Sequence, residues 1–242
     1  MRTVWSWVVN LFFPQRCCLC GKVIEWRQTM CADCRKDAPY VLPPICDLCG
    51  RGEDKCACRK RRRNFERCVM PFYYDGLGES GIGQLKNAAD SAVADGLAAE
   101  MAEVMRREYG GIAFDCLMPV PQYKKDEREK GYNPAALLAR ALARRTRIPY
   151  VNGLRKLFHT TPQKELRAVA RSGNLLGAFT VDKPQAAKDK CVLLVDDTIT
   201  TGSTLDECAK MLKIYGAREV YAVTAACSVY KDKKEKTYEF RN

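Results

Sequence analysis

The stretch Val192–Thr204, with the sequence VLLVDDTITTGST, decides the fold of this 242-residue chain. Four aliphatic residues, Val192–Val195, form the short uninterrupted apolar run that is typical of a strand buried on both faces of a parallel sheet. The run ends at Asp196 and Asp197. A loop rich in hydroxyl groups follows, with one glycine at Gly202, and the amphipathic sequence after it predicts a helix.

This order of elements predicts a site for a phosphorylated ribose. The amides and hydroxyls of Thr200–Thr204, here called the hydroxyl loop, suit a 5′-phosphate together with the positive end of the next helix. The carboxylates of Asp196 and Asp197 suit the 2′- and 3′-hydroxyls of the ribose, because carboxylate oxygens accept hydrogen bonds. Signalling receiver domains also use an Asp pair after a buried strand, but they lack the TTGST run.

The segment resembles, over all thirteen residues, the phosphoribosyl pyrophosphate (PRPP) signature of type I phosphoribosyltransferases. That resemblance implies a doubly wound, mainly parallel α/β sheet. It also implies that Asp196 and Asp197 are the catalytic pair and that PRPP contacts extend along the loop. The PRPP-binding residues expected in this segment are Asp196, Asp197, Thr198, Thr200, Thr201, Gly202, Ser203 and Thr204.

Composition is that of a soluble globular protein, with 47% hydrophobic and 29% charged residues. The length suits one sizeable domain and a small module. The formal net charge is +12, and residues 1–70 hold 14 basic against 7 acidic residues. This basic excess suits polyanionic partners, either nucleic acid or phosphorylated substrates.

Nine of the fourteen cysteines fall between residues 17 and 58, mostly in C-x-x-C pairs. Such pairs place two thiolates at zinc-binding separation, and two pairs complete a closed, structural four-thiolate site. Free thiols or a redox pair are the alternative. Cys18 competes with Cys17 in the first set, and Cys68 could replace a ligand of the second. The preferred sets are Cys17, Cys20, Cys31 and Cys34, then Cys46, Cys49, Cys56 and Cys58.

The apolar run Val4–Phe13 is too short to span a bilayer and lacks a small-residue cleavage site. It is interpreted as a short amphipathic helix, with peripheral membrane contact as the alternative. No transmembrane segment and a cytoplasmic location are expected, because nothing in this run supports export. The cysteines then belong to a reducing compartment, where paired spacing indicates metal.

The rest of the chain alternates apolar strands with helical patterns, which favours a parallel sheet with helices on both faces. Residues 72–87 predict a strand, a turn through four glycines, and a helix carrying Lys86. Four further cysteines lie in apolar runs and are expected in the core. The other predicted elements are helix Ser91–Tyr109, strand Cys116–Val120, helix Pro134–Arg147 and strand Arg218–Cys227, and those cysteines are Cys116, Cys191, Cys208 and Cys227.

Taken together, the chain resembles the ComF (competence protein F) family over nearly all of residues 10–228. The cysteine pairs, MPVPQYKKDEREKGYNPAALLA, KLFHTTPQKELRAVARSGNLLGAF and the PRPP signature occur in the family's order. The resemblance implies a cysteine-rich double zinc-ribbon module at 1–68, a phosphoribosyltransferase-like domain at 69–230 and a polar tail at 231–242. It also implies PRPP with Mg²⁺ as ligand, an unidentified acceptor, and a role in DNA uptake with single-stranded DNA and a competence helicase-type partner.

Two basic positions outside the signature are candidates for the pyrophosphate group, Lys130 and Arg171. Lys130 stands where the family commonly has arginine, and it keeps the charge without the two-pronged geometry. Residues 155–174 are interpreted as a hood over the ligand, with an ordinary surface loop as the alternative. The basic run Arg59–Arg63 is either a solvated linker or a nucleic-acid contact, and a non-catalytic DNA-associated factor is the rival function.

Overall fold

The structure is a computed structural model, and it describes residues 15–25, 28–56, 58, 62–87, 90–158 and 177–229. Four predicted features lie outside the described residues: the N-terminal helix, most of the basic run, nearly all of the hood segment with Arg171, and the tail.

Seven strands and six helices organise the described residues. The strands are β1 (Cys68–Val69), β2 (Phe72–Tyr73), β3 (Cys116–Pro119), β4 (Leu154–Lys156), β5 (Phe179–Val181), β6 (Cys191–Ile199) and β7 (Glu219–Cys227). The helices are α1 (Ala32–Asp37), α2 (Leu77–Asn87), α3 (Ser91–Glu108), α4 (Lys124–Lys130), α5 (Pro134–Thr146) and α6 (Ser203–Ile214). Short 3₁₀ turns lie at Glu53–Lys55 and Pro184–Ala186.

The main sheet has five strands, and every pairing in it is parallel. Its order is β1-β7-β6-β3, and β2 also pairs with β7. Residues 191–195 of β6 and 222–227 of β7 are buried, as their continuous apolar sequence predicts for central strands. Helices α3 and α5 cover one face, while α6 and the antiparallel β4–β5 ribbon cover the other. The predicted doubly wound parallel fold is confirmed.

Local sequence explains where the two large helices begin. The side chain of Asp90 accepts a hydrogen bond from the Ala92 amide and caps α3. Asn133 caps α5 in the same way, and Pro134 occupies the first turn, where its missing N–H costs nothing. None of the described helices has the length and apolar character needed to cross a membrane.

Two local expectations were wrong. Of the four glycines in residues 72–87, only Gly76 turns the chain, with a φ of 48°. The other three lie within α2, where Gly78 and Gly81 allow close packing. The charged segment after β3, whose secondary structure was not predicted, folds as α4 and ends at Gly131, whose φ is 84°. Strand β6 does not stop at the acidic pair but continues to Ile199, because that end still pairs with β7.

Candidate functional site

An open cleft lies at the carboxyl end of β6, where the strand passes through the hydroxyl loop into α6. Gly202 turns the chain with a φ of 78°, in the left-handed region that favours glycine. The Thr201 and Ser203 hydroxyls are hydrogen-bonded to each other at 2.9 Å. The cleft is lined by Asp196, Thr198, Ile199, Thr200, Gly202, Ser203, Thr204 and Leu205.

A buried hydroxyl in this lining has no hydrogen-bond partner among the described residues. It is Thr198 Oγ1, and Gln122 Oε1, on the segment that follows β3, is in the same condition. Buried polar atoms in proteins are nearly always hydrogen-bonded. Thr198 lines the cleft, so a ligand or ordered water that forms a hydrogen bond there would satisfy its hydroxyl.

Asp196 is electrostatically perturbed by its surroundings. The Asp197 amide donates to Asp196 Oδ1 at 2.9 Å. Burial, and then the neighbouring charge of Asp197, raise the pKa of Asp196 well above its usual range. Two adjacent carboxylates, of which Asp196 lines the cleft, favour a bound group that donates hydrogen bonds or brings positive charge.

Lys86, near the end of α2, supplies a cation to this pair, since its Nζ lies 3.0 Å from Asp197 Oδ2. Burial opposes the charged form, but Asp197 outweighs it, and the pKa of Lys86 is raised. Burial lowers the pKa of Lys130, and Lys86 lowers it further while Asp197 acts in the opposite direction. Two lysines therefore act on the same carboxylate from different helices.

The predicted site residues thus fall into three groups. Six line the cleft: Asp196, Thr198, Thr200, Gly202, Ser203 and Thr204. Three lie outside the lining. Asp197 forms an ion pair with Lys86, and the Thr201 hydroxyl is hydrogen-bonded to the Ser203 hydroxyl. Lys130 interacts with Asp197 through its charge. Arg171 lies outside the described residues. Sequence reasoning missed Lys86 as a site residue, and its place in a helix that follows a strand at the carboxyl edge was the available signal.

Sequence reasoning also missed two arginines that hold the loop from behind. Arg51 is only 2% exposed, and its guanidinium donates to the carbonyls of Ile199, Thr200 and Ser228. Arg63 Nη2 donates to the Thr201 carbonyl at 2.8 Å. Nothing local distinguishes these two from the other basic residues of the first 70, because their partners are more than 130 residues away.

The eight predicted cysteine ligands form two clusters in which all sulfurs lie within 4.8 Å of one another. The closest sulfur pairs are 3.4 to 3.7 Å apart. Tetrahedral zinc with bonds of about 2.3 Å requires about 3.8 Å between sulfurs, so both donor sets fit a structural zinc ion. The first cysteine cluster is Cys17, Cys20, Cys31 and Cys34; the second is Cys46, Cys49, Cys56 and Cys58.

The two alternative ligands have other surroundings. Cys18 is fully buried and packs against Gly96 of α3, while Cys68 is fully buried in β1. Backbone amides prepare the first sulfur of each cluster. Burial opposes the thiolate, but hydrogen bonds from nearby amides lower the pKa of Cys17 and of Cys46 to about 7.

Two known domain families match parts of this chain. Residues 8–69 match the double zinc ribbon domain, and residues 129–241 match the phosphoribosyl transferase domain. Competence protein F of Haemophilus influenzae is 31% identical over 221 residues, covering 86% of this chain and 95% of the relative.

Two further relatives extend the comparison. Competence protein ComFC of Bacillus subtilis is 26% identical, over 81% of this chain and 88% of its own length. DNA utilization protein YhgH of Escherichia coli is 28% identical, over 84% of this chain and 86% of its own. A double zinc ribbon followed by a phosphoribosyltransferase-type domain, with similarity to Competence protein F along most of both chains, places this chain in the ComF family.

Proposed function

We propose that this protein binds PRPP in the cleft at the end of β6 and acts as a phosphoribosyltransferase. The observation that carries the proposal is the cleft lining, which combines a carboxylate, an unsatisfied buried Thr198 hydroxyl and a glycine-turned loop at a helix start. The hydroxyl groups of a ribose can donate hydrogen bonds to the carboxylate. The oxygens of a phosphate can accept hydrogen bonds from the loop at the helix start.

Each part of the ligand has an assigned set of residues. Asp196 and Asp197 accept hydrogen bonds from the ribose hydroxyls. The amides and hydroxyls of Thr200–Thr204 hold the 5′-phosphate, next to the positive end of α6. Lys130 and Arg171 contact the pyrophosphate, and Lys86 joins them because it already lies at Asp197.

The reaction breaks the bond between the anomeric carbon and the pyrophosphate oxygen, whose electron pair leaves with pyrophosphate. An acceptor nucleophile then bonds to that carbon and loses its proton. Asp196 and Asp197, together with PRPP, would hold Mg²⁺, which would supply positive charge to neutralise the leaving pyrophosphate. Oxygen-rich acidic surroundings at Asp196 and Asp197 fit such a hard cation. The protein's own residues position the ligand and stabilise charge.

Isothermal titration with Mg-PRPP tests the proposal. The Asp196→Asn, Asp197→Asn double variant should bind at least about tenfold more weakly, because two ribose-hydroxyl acceptors lose their charge. Asp189→Asn is a matched control: it lies before the opposite end of β6 with a φ of 59°, which asparagine tolerates. Equal affinity of the wild type and the double variant would refute the assignment.

A second candidate function is binding of single-stranded nucleic acid, without turnover. It is favoured by the names of the relatives, which are competence and DNA utilization proteins, and by the basic run Arg59–Arg63. Glutamine replacements at positions 59–62 should reduce the salt slope of single-stranded DNA binding by about 0.7 for each phosphate that the variant no longer neutralises. Arg63 stays unchanged in this variant because it holds Thr201.

Two exposed lysines that precede β6 provide the control. Lys183→Gln, Lys188→Gln removes charge before β6 and should leave the slope unchanged. Undetectable binding of the wild type at low salt would exclude this function. A cytoplasmic location is part of both proposals, because thiolate zinc ligands require a reducing compartment.

A further inference from the structure

Arg51 connects the second cysteine cluster to the hydroxyl loop. It stands two residues after Cys49, and its carbonyl accepts a hydrogen bond from the Cys46 amide at 2.8 Å. The backbone of Arg51 therefore belongs to the turn that presents two of the four sulfurs. Its side chain leaves this turn and is buried against the sheet. A change in the turn must move the guanidinium.

The guanidinium closes the ends of the two central strands. Its Nη2 donates to the carbonyls of Ile199 at 3.3 Å and Thr200 at 2.7 Å, and its Nε donates to that of Ser228 at 3.1 Å. Hydrogen bonds from a charged donor are stronger than neutral ones, and burial strengthens them further. These three bonds thus fix where β6 ends and the loop begins.

Because the peptide unit is planar, fixing the direction of these carbonyls also fixes the direction of the loop amides that follow them. In a trans peptide the C=O of one residue and the N–H of the next point in opposite directions. With the carbonyls of Thr200 and Thr201 directed at Arg51 and Arg63, the amides of Thr201 and Gly202 point away from both cations. Amides held in this way are pre-oriented for an anion on the cleft side.

The first cysteine cluster offers an internal control. Its turn repeats the same hydrogen bond, from the Cys17 amide to the carbonyl of Lys22, so Lys22 is the counterpart of Arg51. The Lys22 side chain, however, is exposed and contacts the exposed Asp33 carboxylate at 3.5 Å. Among the described residues, the second cluster alone reaches the loop through this position.

We propose that Arg51 is a positioning residue that couples the metal-bound second cluster to the anion-binding shape of the hydroxyl loop. The coupling rests on the hydrogen bonds that Arg51 forms with the cysteine turn and with the strand ends. The identity of the anion, the 5′-phosphate of PRPP, rests on the proposed function. Loss of metal from the second cluster should then loosen the loop and weaken ligand binding, although the loop contains no cysteine of either cluster.

Two measurements on the full zinc-loaded chain test the coupling: hydrogen exchange of the loop amides and titration with Mg-PRPP. Arg51→Met keeps the length and removes the donors; exchange over residues 200–204 should rise, and PRPP affinity should fall, each at least about tenfold. Arg51→Lys should lie between this variant and the wild type. Lys22→Met should match the wild type in both measurements.

The metal arm uses Cys58→Ser, with zinc counted by native mass spectrometry. It should lose one zinc and show the same increase in loop exchange as Arg51→Met. Unchanged loop exchange in the Arg51 variants, or in Cys58→Ser after zinc loss, would overturn the coupling. Should Arg51→Met fail to fold, a wild-type exchange pattern in Arg51→Lys would overturn it equally.

The two proposals fail in different ways. A wild type that does not bind PRPP refutes the proposed ligand. The exchange experiment contains no ligand and still decides whether Arg51 orders the loop. A protein that binds PRPP equally well with and without the Arg51 donors refutes the coupling alone.

Discussion

The two cysteine clusters share one local geometry and have different surroundings. In each turn the first cysteine amide donates, at 2.8 Å, to the carbonyl five residues later, and the glycine amide donates back at 2.9 Å. Gly21 and Gly50 have φ values of 74° and 69°. Amide hydrogen bonds lower the pKa of Cys17 and Cys46 to about 7 in both.

Their neighbours decide their roles. Cys17, Cys18 and Cys34 belong to the large core shared by α3, α5 and the sheet. The second cluster forms a small apolar group of its own and touches the hydroxyl loop through Arg51. The first cluster is thus part of the structural core, and the second supports the candidate site. A repeated motif acquires two functions because packing around it differs.

Removal of one ligand from each cluster gives the largest expected contrast. Cys34→Ser should lower the unfolding free energy by more than about 3 kcal/mol, because it loses zinc and disturbs the main core together. Cys58→Ser should lower the unfolding free energy less, since its cluster lies outside that large core. Denaturant unfolding with zinc analysis measures both, and equal losses would contradict the division of roles.

Gly21 and Gly50 follow the first C-x-x-C turn of each cluster and allow the two clusters to be compared at matched positions. Alanine at either position would have to adopt the left-handed conformation that the turn imposes. At Gly50 its Cβ would also clash with the backbone carbonyl of Cys68. At Gly21 the nearest atom, 2.8 Å away, is the movable Gln84 side chain. We expect about 3 kcal/mol of destabilisation for Gly50→Ala and about 1 kcal/mol for Gly21→Ala.

Chemical denaturation of both variants measures this difference. A Gly21→Ala variant as unstable as Gly50→Ala would contradict this prediction, because it would show that the turn at Gly21 is held as rigidly as the turn at Gly50.

Contact between the first cluster and α2 can be tested within a single helix. A Cβ at Gly81 would lie 2.7 Å from the Cys18 carbonyl and 2.9 Å from a Leu19 methyl, whereas at Gly83 it would meet nothing within 4 Å. Gly81→Ala should therefore destabilise by about 2 kcal/mol. Gly83→Ala should stabilise by about 0.5–1 kcal/mol, because alanine favours the helix. Thermal unfolding distinguishes them, and the same sign for both would contradict the packing.

The smallest expected effect concerns two partly buried acids, one beside each region. Burial raises the pKa of Glu100, which faces Arg35 near the first cluster, and that of Asp196 at the cleft. A raised folded-state pKa gives stability that is present below the unfolded pKa and is lost as pH rises through the folded value. The contribution of these two acids to stability should therefore fall as pH rises from their unfolded pKa, about 4, through the raised folded values.

Glu100→Gln and Asp196→Asn should each flatten this fall and raise the melting temperature at about pH 8 by about 2 °C. Asp196→Asn should also weaken PRPP binding, and Glu100→Gln should not. A melting temperature that depends on pH as strongly in both variants as in the wild type would contradict the role of burial.

Much of the fold was predictable because its signals are local. The aliphatic run of β6, the capped helices α3 and α5, and the cysteine pairs each occupy a short window of sequence. Two errors arose where a tertiary contact changes a local preference. Gly78 and Gly81 would normally favour a turn, but close packing keeps them within α2. Pairing with β7 extends β6 through two acidic residues that a strand would not favour alone.

By itself, the sequence determined the fold class, the two sets of four cysteines and the acidic and hydroxyl groups of the cleft, because each depends on residues close together in the chain. Tertiary structure alone decided that Lys86 pairs with Asp197 and that Arg51 holds the hydroxyl loop. Arg51 and Thr200 are 149 residues apart, so no periodicity or motif spacing can relate them. Folding brings them together because β1 joins β7 in the sheet and places the second cluster beside the end of β6.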